Sequence, residues 1–243
     1  MLNKKILVTY DKYYASAIEG LGKPTTDVND FMQNTDDFSL VLFTGGSDIS
    51  AEFYEEHSPK YCRCDINRDL LENKIFDHAM KNSIRTIGIC RGLQLINVKS
   101  GGSIFHHVEG HNFGNHLVDT SMNVEFLVNS YHHQMTILPQ NASMIAWSYD
   151  RMSNIYRGNW DLPITPFPMY EPEAAIYPIF ESAGVQWHPE AMPKDSKGYK
   201  FFYNMAKMLI ETEDFTQVSD YYVNVNTAAL KNQKSFVARN FNK

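Results

Sequence analysis

Gly88-Ile89-Cys90-Arg91-Gly92 places a thiol between two glycines, each two residues away. That spacing fits a nucleophile elbow, a tight strand-to-helix turn in which small flanking residues let the nucleophile stand clear of the backbone. Backbone N–H groups at the start of the following helix favour negative charge, first on the thiolate and later on an oxyanion. Far downstream, Gly184-Val185-Gln186-Trp187-His188-Pro189-Glu190 sets an imidazole after an apolar run, with a carboxylate two residues on. His188 is a candidate general base, and Glu190 can fix its tautomer and orientation. A thiol, a base and an orienting acid are the set that nucleophilic acyl transfer requires.

Elements able to hold these groups are visible in the hydrophobic pattern. Residues 6–10 and 40–44 are short apolar runs rich in β-formers, the second ending in Gly45-Gly46, and both read as buried parallel strands. Between 69 and 83, Leu71, Ile75, Ala79 and Met80 recur at helical spacing, and 84–89 then reads as another buried strand. After Cys90, Leu93, Leu95, Ile96 and Val98 suggest a helix stopped at Ser100-Gly101-Gly102. Further strands are expected at 124–128, 144–147, 174–177 and 183–187, and an amphipathic closing helix at 199–210. This βαβ rhythm predicts an α/β fold, a single domain with a mostly parallel central sheet flanked by helices.

The domain is expected to span 1–210. Two stretches stand apart from it: a Pro- and aromatic-rich insertion at 151–172 that suits either a cover over a site or a cap on an exposed sheet edge, and a polar extension at 211–243 of no assigned role. With 43% hydrophobic and 13% aromatic residues among 243, one ordinary core can form. A net charge of −6 without any Lys/Arg block argues against a nucleic-acid ligand. Met1-Leu2-Asn3-Lys4-Lys5-Ile6 runs into a strand without a signal-peptide apolar region, and no later run has the length to span a bilayer. A cytoplasmic protein is therefore expected, and its reducing surroundings would leave Cys90 free for chemistry.

Beyond these local readings, the chain resembles the class I glutamine amidotransferase-like superfamily. The resemblance is to its γ-glutamyl hydrolase branch (peptidase C26 type), which includes γ-glutamyl-γ-aminobutyrate hydrolases. It rests on Thr44-Gly45-Gly46-Ser47-Asp48-Ile49, Arg68-Asp69 with Glu72, the segment from Gly88 to Val98, Gly101-Gly102, Val128-Asn129-Ser130-Tyr131-His132-His133-Gln134, and the segment from Gly184 to Glu190. These occur in the family's order and cover the chain from about Ile6 to Ile210.

The resemblance implies a flavodoxin-like sheet and a cysteine-dependent hydrolase acting on a γ-glutamyl amide or glutamine. Cys90 would be the nucleophile, His188 the base and then acid, and Glu190 the orienter. It also implies that Gln94 and the loop Ser130-Tyr131-His132-His133-Gln134 hold the glutamyl head group. Gly46 and Arg91 would donate backbone N–H bonds to the oxyanion, with Ser47 as an alternative to Gly46. No cofactor or metal is implied. Two other functions fit the same motifs: a glutaminase passing ammonia to a synthetase partner, and a silent binding module on the same fold. Lys99 and the 151–172 insertion depart from the branch's pattern, and the insertion bears on which leaving group fits.

Other candidates are set aside. Cys62-Arg63-Cys64 lacks the usual metal-binding spacing and reads as a loop with two free thiols. His106, His107, His111 and His116 are dense in nitrogen ligands but lack helical i, i+4 spacing, and read as a polar loop. Arg68, Asp69 and Glu72 open a helix, where acidic residues complement the dipole, so capping is at least as strong a reading as substrate contact. Of His132 and His133, adjacent in an extended segment, only one is expected to face a pocket.

Overall fold

The structure, a computed structural model, describes residues 4–223. Thirteen strands form: β1 (Lys5–Val8), β2 (Lys23–Thr25), β3 (Phe38–Phe43), β4 (Thr86–Ile89), β5 (Ser103–Phe105), β6 (His107–Val108), β7 (Asn115–Thr120), β8 (Phe126–Asn129), β9 (Met135–Ile137), β10 (Ser143–Ser148), β11 (Tyr156–Arg157), β12 (Pro172–Tyr177) and β13 (Ser182–Val185). The α-helices are α1 (Val28–Gln33), α2 (Ile66–Lys81), α3 (Arg91–Lys99), α4 (Lys197–Glu211) and α5 (Phe215–Tyr222).

Nine strands join one sheet in the order β2-β1-β3-β4-β13-β12-β10-β7-β8. From β2 to β13 all pairings are parallel, and from β13 to β8 all are antiparallel. The parallel half is covered on both faces, which is why β3 is almost wholly apolar, Phe-Ser-Leu-Val-Leu-Phe. Ile6, Val8, Leu40, Leu42, Ile87 and Ile89 pack on one face with Phe202 and Met205 of α4. Leu7, Val41 and Phe43 turn to the other, against Ile75 and Phe76 of α2 and Leu93 and Ile96 of α3. Period-two alternation thus feeds two cores with one sheet between them.

The α/β class and its single central sheet agree with expectation. The extension beyond 210 begins with α5, whose Phe215, Val218 and Tyr222 are buried, and residues 224–243 lie outside those described. The insertion holds β11 and pairs it antiparallel with β6. Cys62 and Cys64, expected as free thiols, are joined in a disulfide instead, their Cα atoms 5.5 Å apart and so within ordinary bridging distance. Among the described residues no helix is long and apolar enough to cross a membrane.

Candidate active site

Cys90 sits where β4 ends and α3 begins, with φ 52° and ψ −108°. Such a backbone is costly for a residue with a side chain and persists only when its surroundings dictate it. Two glycines show how they do. A Cβ on Gly92 would lie 2.1 Å from the carbonyl oxygen of Phe43, and one on Gly88 would lie 2.3 Å from the backbone of Gly92. The strand, the turn and the helix therefore touch backbone to backbone, leaving no space for side chains beside the cysteine. The Cys90 N–H donates to Val185 O at 2.8 Å, which ties the elbow to β13.

Because β13 runs parallel beside β4, its carboxyl end delivers the segment with His188 and Glu190 to the same edge as Cys90. His188 Nδ1 lies 2.6 Å from Glu190 Oε1, an N–H donated to a carboxylate. That leaves Nε2 for Cys90, the other side chain that acts on the ring. Burial works against a charged imidazole, but Cys90 and then Glu190 outweigh it and raise the His188 pKa to about 10. Asn129 clamps the backbone around the base: its side chain accepts from His188 N at 2.8 Å and donates to His188 O at 2.9 Å. Tyr131 and Tyr14 flank the ring, with centroids 5.9 and 6.2 Å away.

The raised pKa has a definite sign. A base whose folded pKa exceeds its ordinary 6.5 contributes stability that is complete below that value and is lost as pH climbs through about 10. Cys90→Ser removes the side chain that contributes most to the rise, so the titration midpoint of His188 followed by NMR should move down. An unchanged midpoint would mean that Cys90 is not its partner.

On the opposite side of Cys90, α3 starts without a side-chain cap, so its first amides, that of Arg91 included, are unclaimed by any capping group. Gly46, with φ 142°, occupies a conformation that favours glycine. Its loop is held by a buried charge network. Arg68 donates to Thr44 O at 3.0 Å, Gly45 O at 2.9 Å and Glu72 Oε1 at 3.2 Å. The guanidinium of Arg91 bonds Asp69 and Glu72. Asp69 also accepts from Ser50 N and Ser50 Oγ, at 3.0 and 2.6 Å. The helix cap is Asp65, which accepts from the N–H groups of Asn67 and Arg68, so capping is not what Arg68, Asp69 and Glu72 do. They fix the Gly45-Gly46 loop relative to the elbow.

A cavity of about 880 Å³ opens beside Gly46 and Ser47 and is bounded by Asp48, Tyr61, Arg63, Tyr131, His133, Arg157 and Asp161. Of the residues expected to hold a head group, Tyr131 is half exposed and faces this space. Gln94 is buried behind it, donating to Gln134 O at 3.2 Å and Gln186 Oε1 at 3.3 Å. Ser130 is turned inward and donates its hydroxyl to His111 O at 2.7 Å. His132 edges the cavity, but its ring nitrogens face Gln134 O and Glu173. Alternation makes His133 the imidazole that works from the cavity wall, 2.9 Å from Asp48 Oδ1. Burial opposes ionisation of Asp48, yet His133 and the Arg63 N–H hold its carboxyl below the ordinary range.

The insertion reaches the cavity through Arg157 and Asp161, not through its aromatics. Asp161 accepts from Tyr61 OH at 2.8 Å, and Trp160 lies against His57 with ring centroids 3.7 Å apart. Tyr156 is buried and donates to Glu171 Oε1 at 2.7 Å.

Comparison with known proteins bears on the family and the fold. The chain is 27% identical to protein NtpR of Enterococcus hirae over 179 residues, covering 64% of this chain and 68% of that one. It is 26% identical over 190 residues to the glutamine amidotransferase-like protein YvdE of Lactococcus lactis, covering 68% and 72%. The crystal structure of a glutamine amidotransferase from Thermotoga maritima superposes with a TM-score of 0.54 at 15% identity, covering 98% of this chain and 97% of the other. A GMP-synthase-type protein from Thermoplasma acidophilum gives 0.57 at 15%, covering 90% and 96%. A sequence model of the Peptidase C26 family matches residues 17–146, which hold the elbow, the Gly45-Gly46 loop and the segment from Ser130 to Gln134. His188 and Glu190 lie beyond that match, and it is the pairing of β13 with β4 that brings them to Cys90. With more than half its length matched and the elbow inside the match, the chain belongs to the Peptidase C26 family of the class I glutamine amidotransferase-like superfamily.

Proposed function

We propose that this amide-hydrolysing enzyme cleaves a γ-glutamyl amide through a γ-glutamyl thioester on Cys90, releasing glutamate and an amine. The observation that carries the reading is the contact of His188 with Glu190 at 2.6 Å on one side and with Cys90 on the other. The Cys90 thiolate attacks the γ-carbonyl carbon, and the carbonyl electron pair moves onto oxygen. The backbone N–H groups of Gly46 and Arg91 receive that oxyanion, with Ser47 as the alternative to Gly46. The imidazolium of His188 gives its proton to the departing amine and becomes the base for water in the second half. Water attacks the thioester, the carbon–sulfur bond breaks, and the proton taken from water restores the imidazolium beside the thiolate.

Incubating the protein with a panel of γ-glutamyl amides and with glutamine, while following glutamate release, tests the reading. Added hydroxylamine should divert the thioester to the γ-hydroxamate. Turnover with no hydroxamate from any substrate would count against the thioester. Glutamine turnover that stays slow until a synthetase is added would favour the role of ammonia supplier, which is supported by the fold shared with the GMP-synthase-type protein.

The insertion is proposed as the wall that meets the leaving group. Asp161→Ala removes the tie to Tyr61, a loss of about 1 kcal/mol. KM for the preferred γ-glutamyl amine should rise about 5-fold. Hydrolysis of glutamine, whose leaving group is too small to reach the wall, should stay nearly constant. Equal losses on both substrates together with a lower thermal midpoint would make the segment purely structural.

A further inference from the structure

Behind the cavity, strands and loops distant in sequence bring three imidazoles to one buried carboxylate. Glu173, on β12, is fully buried, as is His111, and His132 is 5% exposed. Glu173 Oε1 lies 3.4 Å from His111 Nδ1 and 3.7 Å from His132 Nε2, and the three donor atoms all fall within 4.8 Å of one another. Neither nitrogen has a hydrogen-bond partner, nor has Glu173 Oε2. These separations suit donors about 2.0–2.1 Å from a central zinc ion, for which a tetrahedral edge is roughly 3.3 Å.

Each of the three has an outer partner that sets its protonation. His132 Nδ1 lies 2.9 Å from the carbonyl of Gln134, an acceptor only, so Nδ1 carries the hydrogen and a neutral ring points the Nε2 lone pair at Glu173. A lone pair facing a carboxylate in a dry interior is repulsive unless positive charge lies between them. His111 Nε2 meets Glu171 Oε2 at 3.1 Å, leaving Nδ1 to face the centre. Glu171 is fixed in turn by Met152 N, Ser153 N and Tyr156 OH. His116 Nε2 approaches Glu173 Oε1 at 3.1 Å from outside the trio. Ligands backed by carboxylate, carbonyl and imidazole partners are the usual outer arrangement of a metal centre. The ion pairs of both glutamates among the described residues are all with histidines, so no lysine or arginine supplies the missing charge.

We propose that His111 Nδ1, His132 Nε2 and the Glu173 carboxylate bind a divalent transition-metal ion of the zinc class. The fourth position would be filled by water. The ion would pin the segment from Ser130 to Gln134, and with it Tyr131, to β12. It is distinct from the chemistry at Cys90 and takes no part in it. His111 and His116, expected in a polar loop, are buried, and the proposed set is completed by residues 132 and 173, which no local spacing reveals. The rival is a metal-free cluster with an imidazolium at His111 shared between Glu171 and Glu173.

The test is the metal content of the full chain, produced without a histidine tag and equilibrated with zinc sulfate before removal of free ion. About one zinc per chain is expected by mass spectrometry. Cobalt(II) in its place should give the visible bands of a four-coordinate nitrogen and oxygen site, without thiolate charge transfer. Serine at Cys62, Cys64 and Cys90 should leave the zinc in place, whereas Glu173→Gln and His132→Gln should weaken it by tenfold or more. Zinc below about 0.1 per chain in the folded unsubstituted protein would overturn the proposal in favour of the imidazolium cluster. So would zinc that leaves with the cysteines, or that survives both Glu173→Gln and His132→Gln. If those variants fail to fold, the stoichiometry and cobalt spectrum of the unsubstituted chain decide alone.

Discussion

Cys90→Ala and His188→Ala should each lower kcat/KM for a γ-glutamyl amide by about 10⁴-fold or more, with an unchanged circular dichroism spectrum. Cys90→Ser should match them. The elbow is shaped by Gly88 and Gly92, not by the thiol, so the backbone survives loss of the side chain. Glu190→Gln should sit about 10- to 100-fold above that floor, because a neutral amide oxygen can still accept from His188 Nδ1 while no longer stabilising its charge. Steady-state rates on the four variants check this. Equal loss in all of them would mean that Glu190 does more than orient, and hydrolysis retained by Cys90→Ala would end the thioester mechanism.

The largest effect on stability is expected from Arg91→Met. Its guanidinium is almost completely buried between Asp69 and Glu72, and removing it takes the Arg91 ion pair from Asp69 and leaves Glu72 with Arg68. Uncompensated buried charge of this kind costs about 3–5 kcal/mol. In a chain of this size that corresponds to a fall in thermal midpoint of about 10 °C. Because Arg68 must then balance Glu72 while it holds the Thr44 and Gly45 carbonyls, kcat should fall as well, even though the backbone N–H at position 91 is retained. Calorimetry and kinetics on one preparation check both. A variant as stable as the parent would show that the acids protonate and pack without a cation.

What the sequence revealed about the site follows how local each feature is. Cys90 stands out because its helper glycines are two residues away on each side, and His188 and Glu190 because they are separated by one proline. The inner parallel strands, buried on both faces, announce themselves as apolar runs, and β1, β3, β4 and β13 fall close to where those runs lie, as does the buried antiparallel β12. Strand β7 did not, since Asn115–Thr120 alternates buried and exposed residues and carries a histidine and an aspartate. Arg68, Asp69 and Glu72 looked like a helix start because acidic residues suit one. Only the fold shows that Asp65 takes that task and that the three reach across to Arg91 and Gly45. His133 and His132 could be told apart by alternation, but which of them faces the cavity depends on the register of the loop after β8.

The parallel neighbours β4 and β13 have a bearing on how the protein is made. Between them in the chain lie all of the antiparallel strands, so the ladder that sets His188 beside Cys90 joins segments of high contact order and cannot close early. A nascent chain emerging from the ribosome exposes Cys90 well before its base has been synthesised. Throughout that interval the thiol lacks the imidazole and carboxylate proposed to activate it. On the proposed mechanism, the long detour in the topology delays activity until translation has passed Glu190 and β13 has docked beside β4.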